Sequence, residues 1–362
     1  MIPLVKPYIA PKEIMIPEIE KILYSGYIAE GQAVYDFEDN LKKFIGNEYV
    51  LALNSGTAAL HIAFEILNIG VGDEVISTAM TAEPTNTTIA LTGAKVVWGD
   101  VDEKTGLLDP KSVREKITDK TKAIVLVHYA GMVCDMDEFN KISTEFNIPI
   151  VEDAAHAFGS KYKGKIVGCN SRFTCYSFQA IKQMTTVDGG ALAFKYEEDM
   201  HLARKLRWFG LDKKISRLEN DITRAGYKYG MNNVNATIGN VQLKNNSSIL
   251  KKYIENGKYY DCVLKNIDGI TLIPYYNNTE PSYWLYTMKV RDRDNFVRAM
   301  EERGITASPL HHRSDTHSVF AQSRCELPSL DKFYKEYIHI PCGWWINEED
   351  REYIVNAIKA GW

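Results

Sequence analysis

Val50-Leu-Ala-Leu-Asn-Ser-Gly-Thr-Ala-Ala59 passes from an apolar run through a glycine turn into a helical pattern. Its first four residues read as a strand. From Ser55 to Asn68 the apolar side chains at Leu60, Ala63, Phe64 and Leu67 keep the three- and four-residue spacing of one helix face. The alternation continues outward. Glu74-Val-Ile-Ser77, Lys95-Val-Val-Trp98, Ala123 to Tyr129, Ile148 to Asp153, Phe173 to Phe178 and Gly190 to Lys195 read as further strands. A helix is expected from Met136 to Phe146, and Pro110 suits the first turn of another. Strands alternating with helices predict an α/β fold, a mostly parallel sheet of the seven-stranded type covered by helices.

At 362 residues the chain exceeds one ordinary core, so two domains are expected, over residues 1–232 and 233–362. Past residue 232 the pattern changes. Val234 to Ile267 reads as one long helix, followed by strand, helix (Asp292 to Arg303), loop, strand and a last helix (Glu348 to Lys359). That is a smaller C-terminal α+β domain. Residues 1–30 are expected to pack on it or to reach a partner chain.

Composition is that of a soluble globular protein, 45% apolar and 25% charged. The net charge is −4 and no run of Lys or Arg exceeds two residues, which argues against nucleic acid or a membrane surface as partner. The start, Met-Ile-Pro-Leu-Val-Lys-Pro, lacks the charged and apolar segments of a secretory signal, and the apolar runs are too short to span a bilayer. The six cysteines are scattered without a CxxC pair, as expected of reduced thiols in a cytoplasmic enzyme.

The chemistry-bearing residues fall where strands end. Ile148-Pro-Ile-Val-Glu-Asp153 is an apolar strand closing on a carboxylate. Downstream, Tyr176-Ser-Phe-Gln-Ala-Ile-Lys182 leads a short strand to a lysine in a loop rich in Ser, Thr and Gly. This pair fits pyridoxal 5′-phosphate (PLP). Its aldehyde needs a lysine amine to form a Schiff base, and its ring nitrogen needs an acid to stay protonated so that the ring can accept electrons. Asn54-Ser-Gly-Thr57, where a strand turns into a helix, offers Gly56 for close backbone approach and a Thr57 hydroxyl at a helix N-terminus that favours phosphate. Alone, Ser-Gly-Thr is an ordinary N-cap. It gains weight from Asp153 and Lys182, since ligands of open α/β sheets sit at the carboxyl ends of strands. A lone aspartate is more often a strand terminator, and a lone lysine a surface solvator. His156 would face the cofactor if a helical turn follows Asp153, or be a structural histidine. Ser177 could place its hydroxyl on the phosphate.

Four motifs then occur in order: Asn54-Ser-Gly-Thr-Ala-Ala-Leu60, Glu152-Asp-Ala-Ala-His-Ala-Phe-Gly159, Tyr176 to Lys182 with Asp188-Gly-Gly190, and Tyr227-Lys-Tyr-Gly-Met-Asn-Asn-Val-Asn-Ala-Thr-Ile-Gly239. Together they resemble the DegT/StrS family of PLP-dependent sugar aminotransferases, of the aspartate aminotransferase fold type I. The resemblance spans nearly the whole chain, from Ser25-Gly-Tyr-Ile-Ala-Glu-Gly31 onward. It implies a homodimer with shared active sites, Lys182 as Schiff-base lysine and proton shuttle, and Asp153 on the pyridine nitrogen. It further implies Gly56, Thr57 and Ser177 around the phosphate and His156 beside the ring.

The departures are as informative. Where many members stack an aromatic residue on the ring, this chain has Ala82, with Met80 or a rearranged loop as the alternative cover. Tyr227-Lys-Tyr-Gly230 replaces the usual Tyr-Asn-Tyr-Arg, which makes Lys228 the candidate for a contact to the partner's phosphate. In Pro309-Leu-His-His-Arg-Ser-Asp-Thr-His317, Arg313 with His312 or His317 could hold a substrate phosphate or carboxylate, or the segment is an exposed charged loop.

Two apparent motifs carry nothing. Gly159-Ser-Lys-Tyr-Lys-Gly-Lys165 matches most of a P-loop, but Ile166 stands where a hydroxyl should take magnesium. His311, His312 and His317 lack a cysteine or carboxylate at ligand spacing, so no metal is proposed.

The expected activity is transfer of an amino group from an amino acid, glutamate, to a nucleotide-linked keto-deoxy sugar of surface polysaccharide. The alternatives are a smaller phosphorylated ketone as acceptor, or a PLP-binding regulator without turnover.

Overall fold

The structure is a computed structural model that describes residues 1–213 and 215–362. Two helices, α1 (Lys12–Leu23) and α2 (Gln32–Ile45), precede strand β1 (Val50–Leu53) and helix α3 (Gly56–Ile66). Then follow β2 (Glu74–Thr78), α4 (Glu83–Leu91), β3 (Lys95–Gly99), α5 (Pro110–Lys116), β4 (Thr121–Val127), α6 (Met136–Phe146) and β5 (Ile150–Asp153). Next come β6 (Lys161–Tyr162), β7 (Lys165–Ile166), β8 (Phe173–Ser177), β9 (Gly190–Phe194) and α7 (Glu197–Leu206). The remainder runs α8 (Asn233–Val263), β10 (Ile270–Leu272), β11 (Thr279–Glu280), β12 (Tyr286–Val290), α9 (Arg293–Glu302), α10 (Pro328–Glu336), β13 (Tyr337–Ile340) and α11 (Glu348–Lys359).

Among the described residues the main sheet has seven strands in the order β1-β9-β8-β5-β4-β2-β3. All pairings are parallel except those of β9, which runs against both β1 and β8. The expected α/β architecture is therefore present. β1, β5 and β9 are buried along their whole length, as a sheet covered on both faces requires. On α2, Val34, Phe37, Leu41 and Ile45 face inward at helical spacing.

The strand expected to reach Tyr129 stops at Val127. His128 is fully buried, with Nε2 2.8 Å from Glu152 Oε2 and Nδ1 accepting the Cys134 N–H (3.2 Å). Those bonds wrap residues 128–134 around the imidazole and pull the chain out of the sheet. The P-loop-like stretch is a hairpin, β6 against β7, turning at Lys163 and Gly164 with φ of 50° and 74°. It has no helix at its end to cradle a phosphate.

The 31 residues of α8 span about 46 Å at 1.5 Å per residue. Asn232 caps its start by accepting the Asn235 N–H (2.9 Å). It ends at Val263, short of the expected Ile267: past Leu264 the chain runs through turns, with Ile267 N–H on Leu264 O (3.2 Å), before Gly269 with φ of 81° leads into β10. Tyr260 of α8, Met288, Phe296, Ile338 and Ile354 form an apolar cluster separate from the one that fills the main sheet. The chain start lies on this C-terminal part: Ile2 bridges Ile305, and the Trp344 and Trp345 indoles donate to Lys6 O (3.0 Å) and Pro3 O (3.1 Å).

A buried ion cluster ties α2 to β1. Arg207, 2% exposed, donates to Glu38 Oε1, to Ala52 O (2.9 Å) and to Glu30 Oε1 (3.2 Å), while Glu38 accepts the Ala52 N–H (3.0 Å). Removing the arginine strands the Glu38 carboxylate away from water, while Glu30 keeps Lys213 Nζ (2.7 Å). Arg207→Leu should therefore lower stability by about 3–5 kcal/mol, read as a fall in the urea midpoint. Adding Glu38→Leu should return part of the loss.

Candidate active site

Three strand ends and one helix start converge on a cavity of about 370 Å³ at the carboxyl edge of the main sheet. Asp153 closes β5 between Val127 of β4 and Cys175 of β8. Its Oδ2 accepts the Thr85 hydroxyl (2.7 Å) and its Oδ1 the Ala155 N–H (3.1 Å), so the carboxylate is held in one orientation at the cavity wall. Thr85 is itself bonded to Thr81 (2.8 Å) in the segment that leads into α4.

Lys182 lies in the loop between β8 and β9. That loop is fastened on every side. Phe178 N–H donates to Gly189 O (2.8 Å), Thr186 N–H to Phe178 O (2.9 Å), and Asn235 of α8 reaches Thr186 O (2.9 Å) and Asp188 O (2.6 Å). Gln183 donates to Ser282 O (2.8 Å) and the Trp284 indole to Ile181 O (2.9 Å). Within the loop the Thr185 and Thr186 hydroxyls donate to Phe178 O (3.0 Å) and Asp188 O (2.8 Å), so its threonines satisfy its own backbone. Burial pushes the Lys182 amine down to about 8, an effect the nearby Asp153 charge opposes. An amine so poised is a competent base and nucleophile near neutral pH.

The wall opposite is the start of α3. Ser55 caps the helix by accepting the Ala58 N–H (3.0 Å), and Gly56 and Thr57 line the cavity. Their N–H groups precede the helix ladder and are available to an anion. Gly56 is tight: a Cβ there would meet Ser177 Cβ at 3.0 Å and Tyr176 O at 3.3 Å. Gly190 is tighter, since a Cβ would lie 2.4 Å from Ser55 C and O. The two glycines let the α3 start, β8 and β9 close into one cradle, with the Ser177 hydroxyl on its rim.

His156 is buried beside these groups. Its ring stacks on Trp284 (centroids 4.0 Å, 27°) and lies parallel to His311 (5.5 Å, 8°). Desolvation first, and then the Lys182 charge, hold His156 well below the usual histidine range. The same causes push His311 down to about 4. Both imidazoles are neutral at physiological pH.

The cavity therefore brings together Gly56, Thr57, Asp153, His156, Ser177 and Lys182. Lys228 lies next to the cradle through its backbone, where Asn54 donates to Lys228 O (3.1 Å) and to Tyr229 O (2.8 Å), and its side chain is exposed. The substrate trio is placed otherwise. Arg313 is spent on Asp315 (2.8 Å) and Asp331, so its guanidinium is no open anion clamp. His312 is exposed, and neither it nor His317 lines the cavity. His311 does not line it either, but it touches the site by stacking on His156, which does. His311 Nε2 is buried and has no hydrogen-bond partner among the described residues. Ala82 does line the cavity, with Thr81 and Glu83 beside it, whereas Met80 is packed in the core.

Thr85, Trp284 and His311 belong to the site although no sequence motif marks them. Thr85 has a readable signal, a hydroxyl just after the proline that opens a helix. Trp284 and His311 come from distant elements and have none.

The family model for the DegT/DnrJ/EryC1/StrS aminotransferase family matches residues 10–359. The sugar aminotransferase CalS13 from Micromonospora echinospora superposes with a TM-score of 0.96 at 34% identity, covering 100% of both chains. The UDP-4-amino-4-deoxy-L-arabinose–oxoglutarate aminotransferase of Shewanella sediminis is 30% identical over 99% of this chain and 97% of its own. The spore coat polysaccharide biosynthesis protein SpsC of Bacillus subtilis is 30% identical over 98% and 95%. A cavity that pairs a buried amine with a carboxylate and an anion cradle, on a fold shared throughout with these proteins, places the chain in the DegT/DnrJ/EryC1/StrS family as a PLP-dependent aminotransferase.

Proposed function

We propose that this aminotransferase moves an amino group from L-glutamate to the keto group of a nucleotide-linked keto-deoxy sugar used in surface polysaccharide. The observation that carries the reading is the Lys182 amine, enclosed and depressed to about 8, in the same cavity as Asp153 and the α3 cradle. The names of the Shewanella and Bacillus relatives support the nucleotide-sugar class, the oxoglutarate–glutamate pair and the polysaccharide setting. Arg313, already paired with two carboxylates, weakens the case for a small phosphorylated ketone.

The residues fit PLP. Lys182 would bind its aldehyde, Asp153 its ring nitrogen, and Gly56, Thr57 and Ser177 its phosphate, with His156 beside the ring. When bound, PLP supplies the electron sink that makes the α-proton of an amino acid removable. With PLP bound, Lys182 Nζ would be the base that takes up that α-proton and holds it for return. In the reverse half the same amine would hand over the proton that the carbon being aminated gains. Asp153, shielded from water and held by Thr85, would keep the ring nitrogen cationic far better than an exposed acid could. His156 stays neutral and so does not compete for that carboxylate.

A homodimer with shared sites belongs to the same reading, and exposed apolar side chains support it. Ile14, Ile16, Leu23, Tyr24, Tyr27 and Ile28 are all open to solvent. The Asn233 side chain donates to Tyr27 O (2.7 Å) and its backbone N–H to Ala29 O (2.9 Å), so this surface adjoins the segment that carries Lys228. Lys228 would then contact the partner's phosphate. No described helix is long and apolar enough to cross a membrane.

Lys182→Ala should lose turnover by several orders of magnitude, because one amine is both anchor and base. Asp153→Asn should keep the cofactor but lose most activity. Near-native rates in either, measured by steady-state assay, would overturn the assignment. In cofactor-free protein, uptake of PLP needs the unprotonated amine, so its rate should climb with pH to a plateau above about 8. Asp153→Asn should move that midpoint downward, since the carboxylate raises the amine's pKa. The acceptor is tested with the enzyme's amino-loaded form and a panel of nucleotide keto-sugars and keto-phosphates. Amination of a nucleotide keto-sugar is expected, and exclusive use of keto-phosphates would reverse the choice.

A further inference from the structure

We infer that Trp284 is a positioning residue, the seat on which the Lys182 amine rests whenever it is not bonded to the cofactor. The inference rests on Lys182 being the anchoring amine. Lys182 Nζ lies 4.2 Å from the centroid of the Trp284 ring. The indole is 1% exposed and cannot swing away. Its N–H donates to the carbonyl of Ile181, the residue immediately before the lysine, so the ring is keyed to the backbone of the side chain it receives. His156 stacks at 4.0 Å and holds the ring plane.

The chemistry explains why such a seat matters. The amine must leave its bond, act as a base and return. A freed ammonium in a closed cavity would be drawn onto Asp153, the negative group that sets its electrostatics. That collapse would bind the amine as a proton-holding cation and occupy the acid the ring nitrogen needs. Lys182 and Asp153 form no ion pair within 4.0 Å among the described residues, and the amine lies on the indole face instead. An aromatic face attracts an ammonium, and more strongly when water is excluded. Unlike a carboxylate, it accepts no proton and leaves the lysine free to return. Of the other titratable groups about the cavity, His156, on the turn after β5, and His311, on the 309–317 loop, are held neutral by burial, while the carboxylates of Glu83, at the start of α4, and Asp188, in the lysine's own loop, line the wall without an ion pair to Lys182 among the described residues. Neither histidine offers a negative partner, and the amine rests on the indole rather than on any of the three carboxylates.

The test uses full-length, cofactor-free protein labelled with 13C at the lysine ε-carbons, with Lys182→Arg to assign the signal. The Lys182 ε-CH2 proton resonance should lie upfield of the other lysines through the indole ring current and should titrate near pH 8. In Trp284→Phe the displacement should shrink but persist. In Trp284→Leu it should vanish, and the titration midpoint should rise as the amine falls onto Asp153. That rise should be absent from Trp284→Leu/Asp153→Asn. A Lys182 signal among the bulk lysines in the native chain overturns the proposal. So does an upfield shift that survives Trp284→Leu, or a midpoint that does not rise. If Trp284→Leu does not fold, an unchanged shift in Trp284→Phe overturns it equally. These readouts need no turnover, so a failed seat leaves the transamination reading to be judged by Lys182→Ala.

Discussion

An amine shut away from water is the condition from which the other features of the cavity follow. Desolvation makes Lys182 give up its proton readily, and the Asp153 charge limits how far that goes. The balance demands that both groups be fixed, because a carboxylate moved closer would restore the proton and one moved away would lose the cofactor's ring. Thr85 and Ala155 fix the acid, and the hydrogen bonds of the 178–190 loop fix the lysine.

The sheet makes this possible by bringing ends together. β5 and β8 run parallel, so Asp153 and Ser177 arrive on the same edge. β9 runs backward between β8 and β1, which lets a single loop carry Lys182 away from that edge and bring Gly190 back to it. Gly190 then passes against Ser55 and Gly56 at a distance no side chain would tolerate. The anion cradle and the lysine loop are thus two sides of one contact.

The parts legible in the sequence are those whose signal is local. Val50 to Ala59 shows a strand, a glycine turn and a helix start side by side, and Asp153 and Lys182 each follow a short apolar run. The direction of β9 is not legible, since an apolar run reads alike in either sense. The stop at Val127 is hidden because it depends on Glu152, reached by His128 only after folding. Arg313 looks available in the sequence because one of its partners, Asp331, lies in another element. Trp284 and His311 are silent for the same reason: their meaning comes from neighbours more than a hundred positions away.

Helix α8 has a consequence beyond its length. Near one end Asn235 grips the loop that carries the lysine, and near the other Tyr260 is sunk in the C-terminal apolar cluster. Such a rod has no joint. Any tilt of the C-terminal cluster would therefore be felt as a pull on the lysine's own loop, carried to the reactive atom through a single span of backbone.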